Sequence, residues 1–191
     1  MATLTIHRRL DARQSAVRAK ILLAARQLIH EQGHESVGME LIATTAGVSR
    51  ATMYRYFASK EHVVCQAALE WGHQVAARIP EAIAASEPIA AIDVAIEQVV
   101  HEAASDLPMV RATMASVLAE GPVADEFRLG VREMFQALLA GAVDGLPESL
   151  DLPMRLLGRV FFADLALLSV DDLTVEECIA ELKAAAARLL T

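Results

Sequence analysis

Apolar residues recur along this chain at the three-and-four spacing of helices, with proline, glycine and capping hydroxyls between the runs. The first run puts Ile21, Leu22, Ala25, Leu28 and Ile29 on one face and predicts a helix from the cap Ser15 to Gly33. Met39, Ile42, Ala43 and Ala46 predict a short helix over 39–45, which Gly47 ends because a left-handed closing residue favours the absence of a β-carbon. Val48 plugs the following angle, and Ser49 caps a second short helix whose Met53 and Phe57 point inward. Ser59 caps a longer helix that runs to Ile79 and stops at Pro80. Five further helices are predicted, over about 88–105, 108–118, 123–143, 153–170 and 175–190, the last capped by Thr174.

What the second short helix leaves outward is Arg50, Ala51, Thr52, Tyr54, Arg55 and Tyr56, with Thr45 and Ser49 at its edge. A helix lying in a DNA major groove needs this set: Arg for guanine edges, a small apolar residue for a thymine methyl, and hydroxyls and cations for phosphates. Lys60, in the first turn of the next helix, adds an ammonium to exposed helix-start amides and forms a candidate anion site.

The run IATTAGVSRATMYRYFASKE, from Ile42 to Glu61, together with RAKILLAARQLIHEQG upstream, from Arg18 to Gly33, resembles the TetR family of transcriptional regulators. The resemblance covers roughly the first third of the chain. It implies an all-α fold with an N-terminal three-helix helix-turn-helix DNA-binding domain (15–60) behind a flexible basic arm (1–14). A C-terminal helical ligand-binding and dimerisation domain (61–191) would follow, with helix 59–79 bridging the two. It further implies a repressor that binds a near-palindromic operator as a homodimer, is released by a small-molecule effector, and uses Lys60 as a phosphate clamp. The sequence departs from the family pattern in two ways: Val37 and Gly38 stand where many members carry Thr or Ser, and Glu40 stands near a position that is often basic.

Charge sharpens this picture. The net charge of −8 argues against a polyanion as partner, until the chain is divided. Residues 1–60 hold nine Lys and Arg against four acids, and the remainder holds eight against twenty-one, so a head of +5 sits on a body of −13. Such asymmetry orients a molecule at phosphate. Arg8, Arg9 and Arg13 belong to the arm and are placed to follow the phosphate backbone or enter a minor groove. Composition, 54% hydrophobic but only 4% aromatic, favours a helical body over a sheet. The chain lacks an uninterrupted apolar run of membrane-spanning length, and its opening residues lack the apolar core of a signal peptide, so the expected location is the cytoplasm and no membrane partner is expected.

Candidate chemistry beyond the head is thinner. Trp71, Met109, Met114, Phe127, Met134, Phe135 and Phe162 are candidates to line an apolar effector cavity, and Asp164, inside the run FFADLALL, needs a partner or a surface. Val160, Phe161, Leu165 and Leu168 on one of the last two helices, and Leu182, Ala185, Ala186 and Leu189 on the other, are candidates for a four-helix contact across a two-fold axis. Cys65 and Cys178 read as packed free thiols, a redox role being the alternative; a regulator controlled by oxidation or by a protein partner instead of a small molecule is the second functional reading. His73 and His101 lack the convergent spacing of a metal site. With no paired catalytic groups, phosphate loop or cofactor motif in the sequence, a helical enzyme is the remote alternative.

Overall fold

The computed structural model describes residues 12–83, 88–142 and 151–190, with side chains described for these except at 82–83, 88–89, 135–142 and 151. All of its regular structure is helical: α1 (Ala12–Gln32), α2 (Met39–Thr45), α3 (Arg50–Tyr56), α4 (Lys60–Ala76), α5 (Ile79–Ile83), α6 (Pro88–Ala104), α7 (Leu107–Leu118), α8 (Pro122–Ala142), α9 (Asp151–Ser169) and α10 (Val175–Leu189). Helix α1 begins at Ala12, three residues before the expected cap, so Arg13 lies in its first turn, while Arg8 and Arg9 lie outside the described residues.

Local chemistry sets the helix ends. Gly33 and Gly47 take φ of +75° and +66°, the left-handed values at which a β-carbon is strained, and they close α1 and the turn after α2. Ser49 Oγ accepts from Thr52 N at 3.1 Å, and Ser59 Oγ accepts from His62 N at 3.2 Å. Gly38 at the start of α2 supplies no side-chain cap, as its lack of a hydroxyl requires. Thr174 and Glu177 form a reciprocal capping box that opens α10. Pro80 departs from its expected role as a simple stop: α4 ends at Ala76, and Pro80 stands in the first turn of α5, where its missing N–H has no intrahelical acceptor to lose.

Most of the apolar faces meet in a main core running from Ile21 and Ile42 in the head, through Met53, Phe57, Val63 and Trp71, to Phe127, Leu165 and Leu182 in the body, and Ile79 and Ala91 form a small second cluster. Helix α4 packs against α1 on one side and against α7 and α8 on the other. Its first residue follows the recognition segment directly and its last turns lie within the body. A helix of 17 residues spans about 25 Å, so one continuous element packs against both the head and the body.

Candidate functional site

Helices α2 and α3 form a corner in which Ile42, Ala43, Met53 and Phe57 are buried. That burial turns the opposite side of α3 to solvent. Thr45, Ser49, Arg50, Ala51, Tyr54 and Arg55 are exposed, and Thr52, Tyr56 and Lys60 are half-buried, so all nine residues nominated from the sequence keep part of their surface toward solvent.

Their internal contacts order the cations. The Arg50 guanidinium lies 5.6 Å from the centre of the Tyr54 ring, and that of Arg55 lies 5.4 Å from the Tyr56 ring, both within reach of cation–π attraction. Arg50 is also paired with Glu40 of α2. Ser49 Oγ donates to Thr52 Oγ1 at 2.9 Å, closing a hydroxyl pair at the start of α3. Lys60 Nζ donates to the Glu35 carbonyl at 2.7 Å; an ammonium has three donors, so this bond holds the residue at the end of the head with two left over.

Behind this surface, polar contacts tie α1 to the body at three levels. Arg18 donates to Gln66 at 2.5 Å, Arg26 donates to Gln74 at 2.6 Å, and His30 Nδ1 lies 2.9 Å from Asp106 Oδ1. Asp106 is buried at the start of α7, and Arg26 is also 3.6 Å from its second carboxylate oxygen. Its side chain makes no capping bond to its own helix. Pro108, at the second position, has no N–H to be capped, which lowers the local demand and leaves the carboxylate to the head. Sequence reading missed this junction, because its partners are 76 residues apart and neither carries a motif.

The body encloses an apolar cavity of about 130 Å³ between α4, α6, α7, α8, α9 and α10. Five of the nominated residues line it: Trp71, Met114, Phe127, Met134 and Phe162. The other three are not among its described walls. Met109 is fully buried elsewhere in the core, the Phe135 side chain lies outside the described residues, and Asp164 is buried near Cys178 and Glu181 of α10. Asp164 Oδ2 has no hydrogen-bond partner in the structure; burial, with a contribution from Glu181, raises its pKa. Described walls that sequence reading overlooked include Leu69, Gly72, Ile96 and Leu157. Thr113 supplies the hydroxyl of the lining, and that hydroxyl already donates to the Met109 carbonyl at 2.8 Å.

The residues nominated for dimerisation are placed differently from expectation. Leu165, Leu168, Leu182 and Ala186 are buried within one chain where α9 packs on α10, Phe161 lines the cavity, and Leu189 is half-buried against the core. Their apolar spacing reports this intrachain seam. The outward faces of the two helices carry other residues, among them Leu152, Arg155, Arg159, Leu167 and Val170 on α9 and Ala180, Glu181, Ala184 and Arg188 on α10.

Both cysteines are free and buried. Burial raises the Cys65 thiol, and burial with the nearby carboxylates of Asp164 and Glu181 raises Cys178 to about 11. Thiols held protonated in this way react slowly with oxidants, which act on the thiolate. Among the described residues there is no group of three His, Cys, Asp or Glu side chains placed to hold a metal ion, and no helix is long and apolar enough to cross a membrane.

A two-helix corner with a cationic, hydroxyl-rich outer face, packed on a helical body with an apolar cavity, is the architecture of a helix-turn-helix protein. Residues 21–67 match the family described as bacterial regulatory proteins, tetR family. The chain is 34% identical over 107 residues to the HTH-type transcriptional regulator UidR of Escherichia coli K12, an alignment covering 54% of this chain and 51% of that protein. The chain thus spans about half the length of the curated relatives it matches. The fold is shared with a TetR transcriptional regulator from Rhodococcus sp. RHA1, with a TM-score of 0.82 at 21% identity over 94% of this chain and 98% of that one. It is also shared with Thermus thermophilus FadR, a TetR-family repressor in complex with lauroyl-CoA, with a TM-score of 0.69 at 22% identity over 91% and 93%. Residues 21–67 thus carry the helix-turn-helix of the tetR family of bacterial regulatory proteins, and the fold of the whole chain is the one seen in TetR-family structures.

Proposed function

We propose that the protein is a dimeric repressor that binds a near-palindromic operator through α3 and is released by an apolar small molecule held in the body. The observation carrying this reading is that one helix serves both sites. Helix α4 begins at Lys60, directly after the exposed face of α3, and contributes Leu69, Trp71, Gly72 and Val75 to the cavity wall. A ligand that alters the packing of α4 therefore alters the position of the head. It shifts the equilibrium only if it binds the arrangement unsuited to DNA more tightly than the arrangement suited to it.

Arg50 and Ala51 read base edges, Tyr54, Arg55 and Lys60 engage phosphates, and Thr45, Ser49, Thr52 and Tyr56 complete the contact edge. One such helix supplies too few base contacts for a unique site, which favours two copies related by a two-fold axis. The outward faces of α9 and α10 suit that pairing: Leu152, Leu167 and Val170 offer apolar area, Ala180 and Ala184 permit close approach, and Arg155 and Arg159 complement Glu181. The lauroyl-CoA held by the Thermus protein supports an acyl chain as the ligand's apolar part.

Fluorescence anisotropy with DNA flanking the protein's own gene, titrated at several salt concentrations, tests the reading. The expected result is binding that outlasts scrambled competitor DNA and weakens steeply with salt. Binding equal to scrambled DNA at every salt, from protein shown by native mass spectrometry to carry no small molecule, would overturn it for this promoter region.

A further inference from the structure

The apolar cavity has a neighbour. A second, more open pocket of about 480 Å³ lies between α4 and α8, walled by Leu69, His73, Ala76, Ala77, Gly130, Glu133 and Met134. Leu69, Ala76 and Met134 line both spaces and form the partition between them. The two larger partition side chains sit against glycines on the facing helix. A β-carbon at Gly130 would lie 2.8 Å from Leu69 Cδ2, and one at Gly72 would lie 2.9 Å from Met134 Sδ. Leu69 of α4 thus fills the space over Gly130 of α8, and Met134 of α8 fills the space over Gly72 of α4. The ends of both side chains are flexible, methionine especially, so they can swing aside at small cost.

The two spaces differ in chemistry. No charged side chain lines the inner one among the described residues, while the outer one carries the exposed His73 and Glu133 and, among its described walls, neither Arg nor Lys. At about 130 Å³ the inner cavity falls below the roughly 300–1,000 Å³ typical of sites for drug-sized ligands, and it reaches that range only when joined to the outer one.

We infer that the α4–α8 seam is a gated two-chamber site for an elongated amphiphile: the apolar body enters past Leu69 and Met134, and a cationic head remains in the outer pocket beside Glu133. This deepens, and rests on, the reading of the body as an effector-binding unit. A ligand lying through the seam stands between α4 and α8, where it acts directly on the helix that leads to the head.

The test compares dodecylamine with dodecanoate, both below their micellar concentrations at pH 8, by calorimetric titration of the full chain. The proposal expects wild-type protein to prefer the amine and Glu133→Lys to reverse that preference, with each affinity moving by about tenfold, as expected for a charge about 6 Å away in a partly hydrated pocket. Met134→Ala should strengthen binding of both by removing the partition. If both amphiphiles bind and their affinity ratio is the same in wild type and Glu133→Lys, the head is not in the outer pocket and the inference fails while the apolar cavity stands. If neither amphiphile binds any of the three proteins, the effector-binding reading of the body fails with it.

Discussion

Arg50 reaches the edge of the head already paired, and with α3 as the proposed DNA-reading helix that pairing should set a measurable limit on DNA affinity. Its partner Glu40 belongs to α2, and both side chains are well exposed, at 68% and 72%. An exposed pair of this kind contributes about 0.2–1 kcal/mol. If Arg50 must leave Glu40 to reach a guanine edge, Glu40→Gln removes that competition and tightens operator binding by about 1.4- to 5-fold. The same substitution also removes a negative charge from the surface proposed to face phosphate, which helps any DNA ligand and must be separated from the specific effect. A double-mutant cycle does so. Arg50→Ala alone should lose about 1–3 kcal/mol, the usual worth of a bidentate base contact. In that background Glu40→Gln should retain only its general electrostatic gain, read as the part that persists with scrambled DNA. Anisotropy titrations of the four proteins at one salt concentration give the coupling. A gain from Glu40→Gln that is undiminished in the Arg50→Ala background, or a loss in place of a gain, would refute the argument that the two compete.

Two other outcomes follow from the structure. Phe57, 1% exposed where α3 meets α4, anchors the corner, so Phe57→Ala should cost about 3–5 kcal/mol of stability, seen as a fall in Tm by calorimetry. His62 stacks edge-on at 5.3 Å from Phe57, and its Nδ1 accepts from Ala58 N at 3.3 Å. Burial depresses its pKa, against Glu126, which raises it, and with Arg18, which lowers it further. The unfolded chain therefore binds this proton first, so stability contributed by the neutral ring is full above about pH 6.5 and is lost as pH falls toward the depressed folded value. His62→Gln should flatten the dependence of Tm on pH between 7 and 5; an unchanged slope would exclude His62 as its source.

The head was legible in the sequence because each of its decisions is local. Met53 and Phe57 lie four residues apart on one short helix, Gly47 and Ser49 punctuate it, and what is left over must face outward. The body was legible as helices but not as surfaces. Leu165, Leu168, Leu182 and Ala186 have the periodicity of a buried stripe, and periodicity is silent on whether the covering partner is α10 of the same chain or another copy. Pro80 reads as a stop unless the start of α5 is seen beyond it. The glycines at the α4–α8 seam, Gly72 and Gly130, carried no signal, since their role depends on side chains from another helix meeting them in space. Asp106 was equally hidden: its place before Leu107 and Pro108 suggests a helix start, but its partners lie on α1.

That carboxylate has two claimants. Held by His30 and Arg26, Asp106 fastens the head; its own helix offers it little in exchange, because Pro108 has no N–H and the Met109 N–H already donates to the Asp106 carbonyl at 2.9 Å. Detachment of α1 would therefore leave a buried carboxylate without its partners, and that loss opposes the movement. A junction fastened at one carboxylate gives way all at once or not at all, so the threshold for moving the head is set as much by what one aspartate would lose as by the strength of whatever does the pushing.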